Sequence, residues 1–447
     1  MFVRNLQATV LPVLFLLSSV SAQCLTGNDN PPTMSANTKK GLIEARFNFA
    51  LDTLKKMVSI DSQDNIFYSP HSLQQALTLA YMGARGSTEQ SLKKALHIPN
   101  DLSKVDVQRY YSFENSLKQQ IDGQSNTSNN YEYKSANRLW ITDAVKVREC
   151  MLDLFGDQLV KTDFHTNPIA VRDKINQWVS NTTNGHIKDL LPLGSIGADT
   201  DLVLANAVYF KGLWESRFDP SISKKDLFYT SGSQHSMVTF MRQEGNFNHQ
   251  ISEVLGAHVL ELPYKGREIS MFVILPPFAT ARTSDVDQVG ERDGIRQLVE
   301  RISTEAGIAE LHDLFDSQIP SQQVEVILPR FEVEKELPMG MLLHAIGAGE
   351  LMVPNAADLR GFVAPGEPSL HLGDAVHRAR IEVTEEGTTA AAATALYTFR
   401  SGRPLPAIFD ANHPFLYFIY DKPMRTILFT GVYRIPNAPQ NTAETSA

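Results

Sequence analysis

Two cysteines in 447 residues are too few for a disulfide-stapled scaffold or a four-thiolate zinc site. The chain also lacks H-E-x-x-H, C-x-x-C, a Walker phosphate loop and G-x-S-x-G, so the local signatures of zinc peptidases, dithiol chemistry, P-loop nucleotide binding and nucleophile-elbow hydrolases are missing. Gly347-Ala348-Gly349 has no third glycine three residues on, which removes a dinucleotide fingerprint. There is no basic excess: 41 Lys and Arg face 50 Asp and Glu, a net charge of −9, which argues against a nucleic-acid or polyanion binder. No apolar run approaches the roughly 20 residues of a membrane span. No 20–50-residue repeat recurs, and no linker divides the chain. No catalytic residue, metal ligand set or cofactor site is assigned.

What is present builds a core and supplies an address. The chain is 43% hydrophobic, with 23 Phe and 13 Tyr, unlike the low-hydrophobicity, high-charge composition of disordered chains. Met1 to Ala22 reads as a secretory signal: Arg4 in a short n-region, an apolar run from Val10 to Leu17, then Val20-Ser21-Ala22 with the small residues a signal peptidase accepts. An extracellular destination makes Cys24 and Cys150 a candidate disulfide, the alternative being two unrelated thiols. It also makes the sequons at Asn126 and Asn181 candidate glycan sites, Asn126 lying in the more polar surroundings. Residues 23–40 read as a flexible leader and 437–447 as a short tail.

Phe47, Leu51, Leu54 and Val58 recur at helical spacing. Ser69-Pro70 is an N-cap with proline at the first helical position, ahead of Leu73, Leu77 and Ala80, and Ser87 to Gln90 fits a capping box. After Lys134 strands dominate: Ser135–Ile141, Leu202–Phe210, Val259–Leu262, Ile269–Leu275, and the closing pair Pro414–Tyr420 and Arg425–Tyr433. The long Phe278–Gln323 connection holds a polar part and a predicted helix through Ile295, Leu298 and Ile302. The pattern predicts one large mixed α/β domain.

Residues 376–403 are unusual. From Arg378 to Thr384 polar and apolar residues alternate, so Ala379, Ile381 and Val383 share a buried strand face, with His377 on it by parity. Glu385-Glu386-Gly387-Thr388 and Thr389-Ala390-Ala391-Ala392-Ala393-Thr394 follow, a run without a large apolar side chain to anchor it. Such a segment suits a surface loop, or a loop that slides into a sheet as an extra strand without a bulky side chain catching. Leu396 to Pro404 then offers Arg400 and Arg403 beside Ser401 and Gly402 as protease bait.

From about Gly41 to Pro436 the chain resembles a serpin. The resemblance rests on Asn65-Ile66-Phe67-Tyr68-Ser69-Pro70-His71-Ser72-Leu73, Leu204 to Trp214, Val326-Ile327-Leu328-Pro329-Arg330-Phe331, the hinge Glu385 to Ala393, His413-Pro414-Phe415-Leu416 and Phe429-Thr430-Gly431. It implies an α+β fold, three β-sheets surrounded by about nine helices, with a mobile reactive-centre loop at about 385–410. It also implies a secreted monomer that traps an extracellular serine protease covalently, without nucleic acid or membrane. Glycosaminoglycan is not expected, because few basic residues surround Lys93-Lys94 and Lys118.

The resemblance carries over residue by residue. Glu385, Glu386, Gly387, Thr388, Ala390, Ala391, Ala392 and Ala393 correspond to the hinge, with Thr388, Ala390, Ala392 and Thr394 expected to face inward after insertion. Ser69, Ser72, Asn206 and His377 correspond to the polar cluster beneath the opening sheet, and Trp214 to the point where the loop enters. The family's usual count from Gly387 gives Ser401–Gly402 as the scissile bond. Specificity chemistry favours Arg400–Ser401, since trypsin-like pockets need a cation; Phe399 and Arg403 rank after these. The rival within the family is a non-inhibitory carrier, chaperone or storage protein, whose hinge often holds bulky or charged residues where this one has the small, uncharged run Gly387 to Ala393.

Overall fold

The protein is described by a computed structural model covering residues 24–26, 35–124, 130–278, 293–316, 320–386 and 406–436. Its elements follow in the order α1 (Ala36–Ile60), β1 (Ile66–Tyr68), α2 (Pro70–Gly83), α3 (Gly86–Ala95), α4 (Lys104–Gln124), β2 (Tyr131–Thr142), α5 (Glu149–Phe155), β3 (Leu159–Thr162), α6 (Pro168–Thr182), β4 (Leu202–Gly212), β5 (Lys224–Tyr229), β6 (His235–Ser252), β7 (Ala257–Pro263) and β8 (Ile269–Leu275). They continue through α7 (Gly294–Ile302), α8 (Glu305–Asp316), β9 (Ser321–Pro329), β10 (Phe331–Glu336), α9 (Met339–Ala345), β11 (Leu372–Val383), β12 (Ala407–Asp410), β13 (Phe415–Asp421) and β14 (Thr426–Tyr433).

Two ladders carry the strands. One has the order β1-β14-β13-β8-β7-β6-β9-β12 with β5 also on β6; the other, the main sheet, is β10-β11-β4-β2-β3. Two of the three expected sheets are joined because β6 runs unbroken, pairing β5 and β9 along its first part and β7 along its last. Nine α-helices lie among the described residues, so the expected α+β architecture is present.

The main sheet is covered on both faces, which explains why β4 is buried without interruption from Leu202 to Phe210. On one face Ala136, Trp140, Val203, Ala205, Ala207 and Val376 pack against Val171, Ile175 and Val179 of α6. On the other, toward β11's tail, Val208, Phe210, Ala379, Ile381 and Val383, with Phe331 of β10, meet the nine-stranded ladder through Phe415, Tyr417 and Tyr433. The parity expected for β11 is therefore met.

Three local readings change. The leader boundary at 40 falls inside α1, which begins at Ala36 because the Ser35 hydroxyl caps it, accepting from Thr38 N–H at 3.0 Å. Residues 24–25 of that leader are buried, not free. Ser87 is no cap: α3 starts at Gly86, where φ is +55°, and Arg85 at the N-cap makes no side-chain cap bond. The signal segment, Asn126 and the tail lie outside the described residues.

Cys24 and Cys150 are disulfide-bonded, with their Cα atoms 5.9 Å apart. The bond fastens the N-terminal segment to α5, where Arg148 Nη1 also donates to the Cys24 carbonyl at 2.9 Å. It closes a loop across a separation of 126 residues, for which chain entropy gives an upper bound of about 5 kcal/mol. Cys150→Ser is expected to lower the thermal unfolding midpoint, and the intact protein, denatured without reductant, to show no titratable thiol. A thiol titre of two per chain would refute the link.

Candidate functional site at the seam of the main sheet

β4 and β11 lie side by side and parallel, paired from Leu372↔Leu202 to Ile381↔Phe210 with one register shift between Leu372 and Asp374. This seam lies within the main sheet, between the β10–β11 pair and the β4–β2–β3 group. His377 of β11 and Asn206 of β4 are register partners, and their side chains join across it: His377 Nδ1 lies 2.5 Å from Asn206 Oδ1.

The chemistry of the neighbours assigns the imidazole tautomer. His377 Nε2 accepts from the Ser69 backbone N–H at 3.1 Å. Since an amide can only donate, Nδ1 carries the ring hydrogen and donates to Asn206. Asn206 Nδ2 in turn donates to Ser72 Oγ at 2.7 Å and to the Ser72 carbonyl at 3.2 Å. Ser69 Oγ accepts from Ser72 N–H, capping α2, and donates to the Leu428 carbonyl at 2.6 Å. All four residues are at most 1% exposed.

Four of the expected site residues thus meet, and Ser135 on β2, which sequence reasoning missed, joins them with its Oγ 3.2 Å from Ser72 Oγ. Its place in the cluster, at parity with Asn137, emerges only once Asn137↔Asn206 pairs β2 with β4. The cluster is no nucleophilic site despite its Ser and His: the Ser69 hydroxyl proton is committed to a carbonyl, and His377 meets the Ser69 amide rather than the hydroxyl. What the arrangement does is hold two parallel strands and a helix N-terminus together by neutral, buried hydrogen bonds. Burial with no ionic partner pushes the His377 imidazole down to about 3.

Trp214 stands apart from this cluster, at the far end of β11, seven residues or about 23 Å along the strand from His377. Its Nε1 donates to the Thr384 carbonyl at 2.8 Å, and its ring stacks on Tyr264 with centroids 4.5 Å apart. Gly212 permits that stack, because a Cβ there would lie 2.2 Å from the Tyr264 ring. Beside it Glu385 is 7% exposed; it accepts from Ser223 Oγ at 2.8 Å and faces Arg330 Nη1 at 3.7 Å. Glu386 is exposed, its N–H reaching Thr384 Oγ1 at 3.4 Å. Gly387, Thr388, Ala390 to Ala393, Arg400, Ser401 and Gly402 lie outside the described residues, and the chain is described again from residue 406, entering β12 in the other ladder. Asn181 is exposed on the last turn of α6, while Thr183 of its sequon is buried, donating to the Val179 carbonyl. Among the described residues no three His, Cys, Asp or Glu side chains are grouped to hold a metal, and no helix is long and apolar enough to cross a membrane.

A family model described as "Serpin (serine protease inhibitor)" matches residues 44–436. The chain is 34% identical over 442 residues to Serine protease inhibitor 88Ea of Drosophila melanogaster, spanning 95% of this chain and 98% of the fly protein. It is 34% identical over 379 residues to human antithrombin-III, spanning 83% of this chain and 77% of that one. Uncleaved ovalbumin matches its fold with a TM-score of 0.73 at 25% identity, over 89% of this chain and 100% of ovalbumin's. This chain belongs to the serpin family, and many of its relatives are protease inhibitors.

The buried imidazole has a consequence for acid. Between pH 6.5, the ordinary histidine value, and about 3, the unfolded chain binds a proton that the folded His377 site refuses, so stability falls as pH falls. His377 alone should remove about 2 kcal/mol between pH 7 and pH 5. Denaturant titrations at both pH values should show this difference for the native protein, and His377→Gln should lose that share of it. An unchanged pH difference in the variant would show that His377 is not the group responsible.

Proposed function

We propose that this protein is a secreted suicide-substrate inhibitor of trypsin-like serine proteases, and that Ser69, Ser72, Asn206, His377 and Trp214 control the opening of its main sheet. One observation carries the reading: β11, closed in register against the parallel β4, leads directly into a hinge of small residues, Gly387 to Ala393. A segment that follows β11 and folds back between these strands runs antiparallel to both. One parallel pairing is exchanged for two antiparallel ones, the more stable kind per residue. Roughly a dozen added ladder bonds at about 0.5–1.5 kcal/mol each supply on the order of 10 kcal/mol, so the uncleaved state is held kinetically.

In the reaction the protease serine attacks the Arg400 carbonyl. The Arg400–Ser401 peptide bond breaks, the Ser401 amine leaves, and an ester joins Arg400 to the enzyme. Insertion of the freed hinge then distorts the enzyme before water cleaves that ester. The Cys24–Cys150 disulfide supports an oxidising, extracellular destination, and exposed Asn181 and the Asn126 stretch suit glycans. A polyanion cofactor is not invoked: the Lys93 ammonium is taken by the Asn100 and Leu102 carbonyls, and Lys104 is buried against Glu89. The inhibitor acts as a monomer.

Incubation with trypsin should give an SDS-stable complex and a released C-terminal fragment beginning at Ser401. A fragment beginning at Gly402 would move the scissile bond to Ser401–Gly402. Thr388→Arg, which puts a cation on an inward position of the inserting strand, should abolish most of the complex and leave cleaved product. Clean cleavage of the native protein with no complex would favour a non-inhibitory carrier, chaperone or storage role.

A further inference from the structure

In the nine-stranded ladder β12 is an edge strand, paired only with β9 among the described strands, from Ala407↔Val324 to Asp410↔Ile327. That is a short hold, and two histidines stand behind it. The His249 ring of β6 meets the Phe409 ring of β12 edge to face, centroids 5.9 Å apart. His249 Nδ1 lies 2.7 Å from Gln322 Nε2 at the start of β9, and the same Nε2 is 3.0 Å from the His249 carbonyl. On its other side His249 Nε2 lies 3.3 Å from Nδ1 of His258 on β7. His249 is 5% exposed. One ring thus touches β12 directly and, through Gln322, secures the strand that β12 pairs with.

These partners fix where the hydrogens sit. A carbonyl only accepts, so the Gln322 atom beside the His249 carbonyl is its NH2 group, and His249 Nδ1, facing that group, offers a lone pair. His249 Nε2 then carries the ring hydrogen and donates to the lone pair of His258 Nδ1. The chain from Gln322 through His249 to His258 is complete with both imidazoles neutral. A proton added at either Nδ1 meets a donor instead of an acceptor.

The charged surroundings do not invite that proton. Burial, and then the nearness of His258, hold His249 below the usual histidine range. His413, from the connection between β12 and β13, faces His258 and donates from Nε2 to the Pro276 carbonyl at 2.7 Å. Asp410 of β12 interacts with Arg242 of β6, Asp226 of β5 and Glu325 of β9.

We propose that His249 and His258 are a proton-sensitive pin on β12: the neutral pair holds the strand on the ladder, and acid releases it. Its bearing on function rests on the reading above that the segment before β12 is the loop offered to a protease. The C-terminal anchorage of that loop then loosens as pH falls.

Hydrogen exchange of the β12 amides tests it, followed by mass spectrometry on the whole protein at pH 7.5 and 5.5 and divided by the intrinsic rate at each pH. An imidazole that takes a proton near 6.5 when the strand is released, and refuses it when the strand is seated, should raise β12 opening about tenfold between these values. The β13 and β14 amides are the reference and should change less. His249→Asn keeps an acceptor for Gln322 without a titrating ring, so the step should vanish. Gln322→Glu replaces the donor by a carboxylate that welcomes the imidazolium, so β12 should open less readily in acid. No step in the native protein, an equal step in β13 and β14, a step that persists in His249→Asn, or an unchanged sign in Gln322→Glu would each overturn the pin. No protease enters this measurement. A native protein that captures no protease while β12 shows the step would sink the inhibitor reading and leave the pin standing.

Discussion

A single register pairing, His377 against Asn206, constrains how the surrounding elements are placed. Both of these side chains are fully buried, so each must find its partners inside the protein. His377 has two ring nitrogens to satisfy. One requires a donor, and the Ser69 amide at the start of α2 provides it, which brings the N-terminus of that helix beneath β11. Asn206 has an amide to place, which calls for Ser72 one turn into the same helix, and Ser72 then reaches Ser135 on β2. The docking of α2 and the registers of β2, β4 and β11 are thus solved together. A slip of one residue in any of them would turn apolar side chains outward and leave this cluster unpaired.

Much of this was legible because its signals are local. Ser69-Pro70 marks a helix start in any context, and alternation along β11 places His377 on the buried face before any partner is known. The uninterrupted apolar run of β4 reads as a strand covered on both sides. What escaped depends on partners distant in the chain or on backbone atoms. Ser135 has no distinguishing context until β2 is paired with β4. The carbonyls that receive Arg378 and Arg380 carry no residue signature, and the same two arginines read simply as the polar half of an alternating strand. The start of α1 was hidden because Ser35 caps it from within a stretch whose prolines suggest irregular chain.

The two faces of the seam hold by different physics. Beneath it the bonds are neutral and out of reach of water, so dissolved salt leaves them nearly unchanged while protonation of the imidazole breaks the pattern of donors and acceptors. On the opposite face of the sheet the Arg378–Glu336 and Arg380–Glu332 pairs, whose guanidiniums also donate to the Lys188 and His186 carbonyls, are between a fifth and a half exposed, where ion pairs are weak and screened. Their strength lies in orientation: each carboxylate fixes a guanidinium so that its other arm points at a backbone carbonyl.

On the proposed reading, this arrangement bears on why a sheet that accepts another strand can persist without it. In the described seam the His377, Asn206, Ser69 and Ser72 groups are already satisfied by one another. None of these four calls for a further strand to pair it, so their closed arrangement is a local minimum. On the proposed reading the gain on insertion comes from ladder bonds that do not yet exist, while the barrier comes from bonds that must first be given up. A satisfied network raises that barrier without lowering the final state by the same amount, because the strand that displaces it brings its own partners. Slow conversion from a stable-looking native form then follows from where the hydrogen bonds sit, with no need for strain stored in the uncleaved fold.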